Sequence, residues 1–122
     1  MKAIRNFLES DLEDLPNCHA GNGVLNHIQL FAEQDFKSTL RFFNYTVLPP
    51  GTSIGLHKHG NDEEIYVILA GSGQMILDGA RHAVHAGSVI LNRPYGEHGL
   101  ENTGDCDMKV LVFENSVQGE NL

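Results

Sequence analysis

Short apolar runs, each closed by glycine, proline or an Asn/Asp turn, leave this chain little choice but a β-rich fold. The runs read VLNHIQLF (24–31), STLRFFNYTVL (38–48), SIGLHKH (53–59), EIYVILA (64–70), GQMIL (73–77), HAVH (82–85), SVILN (88–92) and MKVLVF (108–113). Between them stand Pro49-Pro50-Gly51, Gly60-Asn61-Asp62, Gly71-Ser72-Gly73, Asp78-Gly79 and Ala86-Gly87. Each suits a chain reversal, and Asp78-Gly79 is the strongest hairpin signal of the set. Many short strands at even spacing predict an all-β sandwich or barrel. Helical periodicity is confined to the N-terminus, where Ser10-Asp-Leu-Glu13 has the form of a capping box. Phe7, Leu8, Leu12 and Leu15 would be the apolar side of that turn. The expected organisation is one domain: an arm over 1–23, a β-barrel over 24–113 and a C-terminal tail over 114–122.

Size and charge narrow the function classes. A chain of 122 residues with 41% hydrophobic residues can bury a core without disulfides or a structural metal. Eight Lys+Arg against sixteen Asp+Glu give a formal charge of −8. That field repels a phosphate backbone, so no nucleic-acid partner is expected. An anionic membrane surface is disfavoured likewise, and no apolar stretch approaches the ~20 residues that span a bilayer. Acids stand where a signal peptide would have its apolar core, so a cytoplasmic location is expected. Cys18 and Cys106 are far apart in sequence and are read as reduced, structural thiols.

The chemistry is concentrated in GTSIGLHKHGNDEEIYVILAG, or Gly51-x5-His57-x-His59-x4-Glu64-x6-Gly71. Residues two apart in a strand share a face, so His57 and His59 project side by side. The turn at Gly60-Asn61-Asp62 then returns Glu64 towards that face. Imidazole with one carboxylate suits Zn, Fe, Mn, Ni, Co or Cu better than Ca or Mg. A further donor must come from elsewhere, and Gly87-x6-Pro94-x-Gly96-x-His98-x3-Asn102 offers His98 after a Pro/Gly turn. His82 and His85 are three apart in a strand and face opposite sides. They, with His19 and His27, are read as surface or packing residues.

These two stretches resemble the paired motifs of the cupin superfamily, G-x5-H-x-H-x3/4-E-x6-G and G-x5-P-x-G-x2-H-x3-N. The first matches in full. In the second, six residues rather than five separate Gly87 from Pro94, and one rather than two separates Gly96 from His98. The departures offset each other, so the span from Gly87 to His98 is that of the family. The resemblance covers about 40–113. It implies a double-stranded β-helix (cupin, or jelly-roll, barrel) with one divalent transition metal on His57, His59, Glu64 and His98. Glu63 fits the looser spacing, but Glu64 alone has six residues between it and Gly71.

Four protein donors on an ion that prefers six leave two positions for a small molecule. Three activities fit: Lewis-acid chemistry of the isomerase, lyase or decarboxylase type on a small sugar-derived or carboxylate metabolite; a metal-dependent dioxygenase; and a sensor that binds its ligand without turnover. A metal-dependent enzyme of the first kind is the preferred expectation. Arg41 and Tyr45, on one face of strand 40–48, are pocket candidates, with Arg41 matched to a carboxylate. Tyr66 shares the face of Glu64 and is a third. The apolar outer face of Ile65, Val67 and Leu69 needs cover, which predicts a homodimer.

Overall fold

A computed structural model describes residues 2–117. Ten strands form two antiparallel sheets that face each other. They are β1 (Glu13–Pro16), β2 (Val24–Ala32), β3 (Leu40–Leu48), β4 (Ser53–Lys58), β5 (Asp62–Ala70), β6 (Ser72–Leu77), β7 (Ala80–His85), β8 (Val89–Asn92), β9 (Glu97–Glu101) and β10 (Met108–Ser116). The larger sheet runs β1-β2-β3-β10-β5-β8 and the smaller β4-β9-β6-β7. The predicted hairpin is present: Asp78 (φ 47°) and Gly79 (φ 85°) are both left-handed and join β6 to β7. That is the backbone a two-residue primed turn requires, and glycine adopts it without penalty.

Between the sheets lies the main core, which includes Leu25, Leu48, Ile68, Met75, Leu100, Met108 and Val110, each at most 1% exposed. Alternation puts these residues inward. Asn102, the last residue of the second motif, is buried for a structural reason. Its amide donates to the Leu48 and Cys106 carbonyls at 2.7 and 2.9 Å and tethers the loop before β10.

The N-terminal arm departs from expectation. No helical turn forms at Ser10–Glu13; Glu13 instead opens β1, because the main chain there finds partners on β2 (Glu13 opposite His27). Upstream, Phe7 stacks on Tyr45 at 4.2 Å, and Leu12 packs in the same second apolar cluster with Ile28, Leu30 and Phe43. The arm therefore covers the outer face of β2, β3 and β10. Ile65 and Val67 are half-buried on the outer face of β5, but Leu69, Val89 and Leu91 stay exposed beside them. At the other end β10 continues through Ser116, so 114–116 are strand; the rest of the expected tail, from 118, lies outside the described residues.

Candidate metal centre

Strand pairing and turns assemble the site. His57 on β4 stands directly opposite His98 on β9. Between Ile54 and His57 the β4–β9 register shifts by one residue, a β-bulge on β4. Without that bulge, Ile54 and His57 would face opposite sides; with it, Ile54 is core while His57 points at His98. Glu64 comes from the opposing sheet and is buried. Its Oε1 lies 3.0 Å from His98 Nε2 and 3.4 Å from His59 Nε2. One donor atom from each of His57, His59, Glu64 and His98 lies within 4.8 Å of the others. Glu63 is opposite Asn115 in the neighbouring strand register and is not part of this group.

Neighbouring acceptors set which ring nitrogens face inward. His57 Nδ1 lies 2.7 Å from the Gly55 carbonyl, which can only accept, so Nδ1 carries the proton and Nε2 is presented. His59 Nδ1 faces Asp62 Oδ1 at 3.0 Å and Glu114 Oε1 at 3.2 Å, and again Nε2 is presented. Partners of this kind orient metal-binding imidazoles. His59 Nε2 is buried, and its only near partner, Glu64 Oε1 at 3.4 Å, is outside good hydrogen-bond geometry. A ring nitrogen buried with so loose a contact is better satisfied by an ion in its lone-pair direction once it has lost its proton. Three imidazoles and one carboxylate, so arranged, fit a divalent transition ion.

Without an ion the charges are arranged unevenly. Burial, then the neighbouring rings of His98 and His19, holds His57 down to about 4. The Glu64 carboxylate raises His59 to about 9 against the opposing effect of burial. Burial pushes Glu64 up, but His59 and His98 outweigh it and bring it to about 2. Glu114 is pushed up to about 7, by burial first and then by the charges of Asp62 and Glu64. Tyr66, fully buried and edge-on to His98 at 5.4 Å, has its hydroxyl raised well above the usual phenol range, by burial and then by Glu64.

Two of the pocket candidates need correction. Tyr45 does not line the barrel interior; it is buried on the outer face beneath Phe7. The whole row Phe43, Tyr45, Val47 faces outward, and Phe42, Asn44 and Thr46 face in. The parity is inverted because both faces of β3 are covered, so apolar character does not mark the inner one. Arg41 is half-exposed at the rim. The β3–β10 register shifts beside it, Glu114 pairing with Phe42 but Asn115 with Leu40, which leaves Arg41 as the extra residue. Bulged out in this way, its guanidinium reaches Asp62 and Glu114, both at 3.7 Å. It therefore supports the carboxylates behind His59 and does not line the interior cavity. Tyr66 is inward, as its shared face with Glu64 predicts.

Sequence reasoning missed the N-terminal strap. Cys18–Ala20 forms a 3-10 turn over β4, with Asn17, His19 and Ala20 all at positive φ. Close approach is possible only because Gly55 lacks a side chain: a Cβ there would collide with the His19 carbonyl oxygen. The strap lays the His19 ring flat on His57, centroids 3.7 Å apart. His19, Asn44 and the His27–Thr46 pair line a cavity of about 420 Å³ that reaches Glu64 and Tyr66. No spacing rule links His19 to His57, since strand pairing and the strap bring them together.

Comparison with known proteins agrees with this geometry. Residues 44–114 match the cupin domain family. An oxalate-binding protein from Thermotoga maritima is 35% identical over 100 residues, which is 82% of this chain and 83% of that protein. The crystal structure of a predicted oxalate decarboxylase from Thermotoga maritima superposes with a TM-score of 0.90 at 32% identity, covering 93% of this chain and 99% of that one. KdgF from a Halomonas species, 14% identical with a TM-score of 0.77 over all of both chains, shares the fold. Domain match, sequence and barrel geometry agree, and this chain belongs to the cupin family.

Proposed function

We propose that this cupin holds one divalent transition metal on His57, His59, Glu64 and His98 and acts on a small carboxylate that binds beside it. The observation carrying the reading is the convergence of one donor atom from each of His57, His59, Glu64 and His98 within 4.8 Å of one another. A bound ion of the Zn, Mn, Fe, Ni, Co or Cu group supplies Lewis-acid polarisation of a carboxyl or carbonyl oxygen. The chain's own residues do the rest. Gly55, Asp62 and Glu114 hold the rings of His57 and His59 in one tautomer, and the strap shields His57 from water. An acid with two neighbouring oxygens is supported by the Thermotoga maritima relative, which is named for oxalate binding.

That name also favours a second reading, in which the acid is held without turnover. Calorimetric titration of oxalate into metal-loaded and metal-free protein tests the shared part: binding is expected only when loaded. Equal binding to both forms would overturn it. Formate and carbon dioxide release then separates turnover from holding, and elemental analysis of the native protein bears on redox chemistry, which Zn would exclude.

Proton competition gives a sharper check. At pH 7.5 His57 is neutral, since its value is about 4, whereas His59, at about 9, still carries its proton. Metal binding must displace that proton. Affinity should rise roughly tenfold per pH unit up to about pH 9 and flatten above it. Calorimetry in buffers of different ionisation enthalpy should report about one proton released at pH 7.5. Zero release would show that His59 either is neutral at pH 7.5 or is not a ligand, and metal titration of His59→Ala separates the two.

We also propose a homodimer through the outer face of β5 and β8. Leu69 is 40% exposed, Val89 65% and Leu91 40%, forming an apolar patch that the arm leaves uncovered. Sedimentation equilibrium at micromolar concentration should return twice the chain mass, and Leu69→Glu/Leu91→Glu should return the monomer. A monomeric wild type would refute the assembly.

A further inference from the structure

We propose that the ligand is a 2-oxo or 2-hydroxy acid with an uncharged, mainly apolar side chain, rather than an acid as small as oxalate. The inference rests on the reading of the metal centre above and deepens it. Its first support is volume. The cavity beside Glu64 measures about 420 Å³, within the roughly 300–1,000 Å³ of pockets that enclose organic ligands. Oxalate has six non-hydrogen atoms and would leave most of it vacant.

Wall chemistry is the second support. Away from Glu64 the lining carries no formal charge: Leu15, Leu25, Phe42, Ile54 and Val112 give apolar surface, and the His27–Thr46 pair adds neutral polar groups. Among the described residues no lysine or arginine lines it. A ligand carboxylate can therefore be charge-compensated at the metal end only. A second one would meet only His27, which burial keeps towards its neutral form, and an unpaired buried charge is costly. An aliphatic or aromatic substituent would instead displace water from apolar surface.

The third support is polar. Asn44 lines the same cavity, and its Oδ1 is buried without a hydrogen-bond partner. A side-chain amide so placed serves one neutral polar group of a ligand, such as a hydroxyl. His19, stacked on His57, forms the wall where the acid head would enter the metal centre. Acid head, neutral polar contact and apolar surface are thus offered within a single cavity.

The test is calorimetric titration of the metal-loaded full chain with oxalate, pyruvate, 4-methyl-2-oxopentanoate and 2-oxoglutarate. Each buried methylene strengthens binding about fourfold. The branched acid should therefore bind at least tenfold more tightly than pyruvate, and 2-oxoglutarate no more tightly than pyruvate. Asn44→Phe, which fills the cavity, should bring the ratio of branched acid to pyruvate close to one. Equal affinities for the three oxo acids within twofold, or a preference for 2-oxoglutarate, would overturn the proposal. So would a ratio unchanged by Asn44→Phe in a variant that melts as wild type does; the wild-type series decides alone if that variant does not fold. Metal uptake is measured separately. Stoichiometric uptake with equal affinity for the oxo acids sinks only the substrate class, whereas no uptake sinks the metal reading itself.

Discussion

Replacing His57 and His98 together by alanine is expected to abolish stoichiometric binding of a divalent transition metal. The two imidazoles are opposite each other on β4 and β9 and supply half of the four converging donors. Loss of an outer partner of a metal-bound histidine already weakens affinity about 10–100-fold. Loss of two direct donors should exceed 100-fold, leaving His59 and Glu64 as an ordinary weak pair. The readout is metal titration followed by elemental analysis after desalting. His98 is itself buried, at 1% exposure, so the fold of the variant is checked by its melting before titration. Binding as tight as wild type in a folded double variant would remove the assignment.

The second large effect is on stability and locates the fold's support away from the metal. Leu100→Ala should lower unfolding free energy by about 2–5 kcal/mol, the usual range for deleting a buried leucine with partial collapse of the void. Leu100 is fully buried, pairs with Met75 across β6–β9 and with Ile54 across β4–β9, and shares the inward face of β9 with His98. Against the roughly 5–15 kcal/mol that holds a typical domain, this is a large fraction. Urea unfolding of the metal-free protein measures it, with Ile4→Ala, 84% exposed, as the control expected within about ±0.5 kcal/mol. A loss under 1 kcal/mol at Leu100 would mean that the two sheets are not held by this core. Because wild type and variant are compared without metal, the result is independent of the site.

The architecture and the centre of the site were written locally in the sequence. Period-2 alternation in EIYVILA and MKVLVF, and turn chemistry such as Asp78-Gly79, are properties of a few adjacent residues. They were readable because side chains alternate and φ > 0 is sterically selective. His57-x-His59, with Glu64 after a turn, was readable for the same reason, and the family's second motif supplied His98. Gly71 (φ 85°), with six residues between it and Glu64, distinguished Glu64 from Glu63.

What tertiary structure alone decided was which face became the interior. Strand 40–48 has apolar residues on both sides, and only the arm, with Phe7 on Tyr45, buries the outer row. Two bulges did comparable work. One on β4 aims His57 inward beside Ile54, and one at Arg41 turns the guanidinium to Asp62 and Glu114 instead of the cavity. Neither bulge is encoded by a local period, since each arises from the register of a partner strand distant in sequence. The strap is of the same kind. His19 meets His57 because β1 pairs with β2 and because Gly55 admits a backbone against it, contacts between segments some 35 residues apart. Local sequence encodes spacing and turns; the fate of each face depends on what the rest of the chain packs against it.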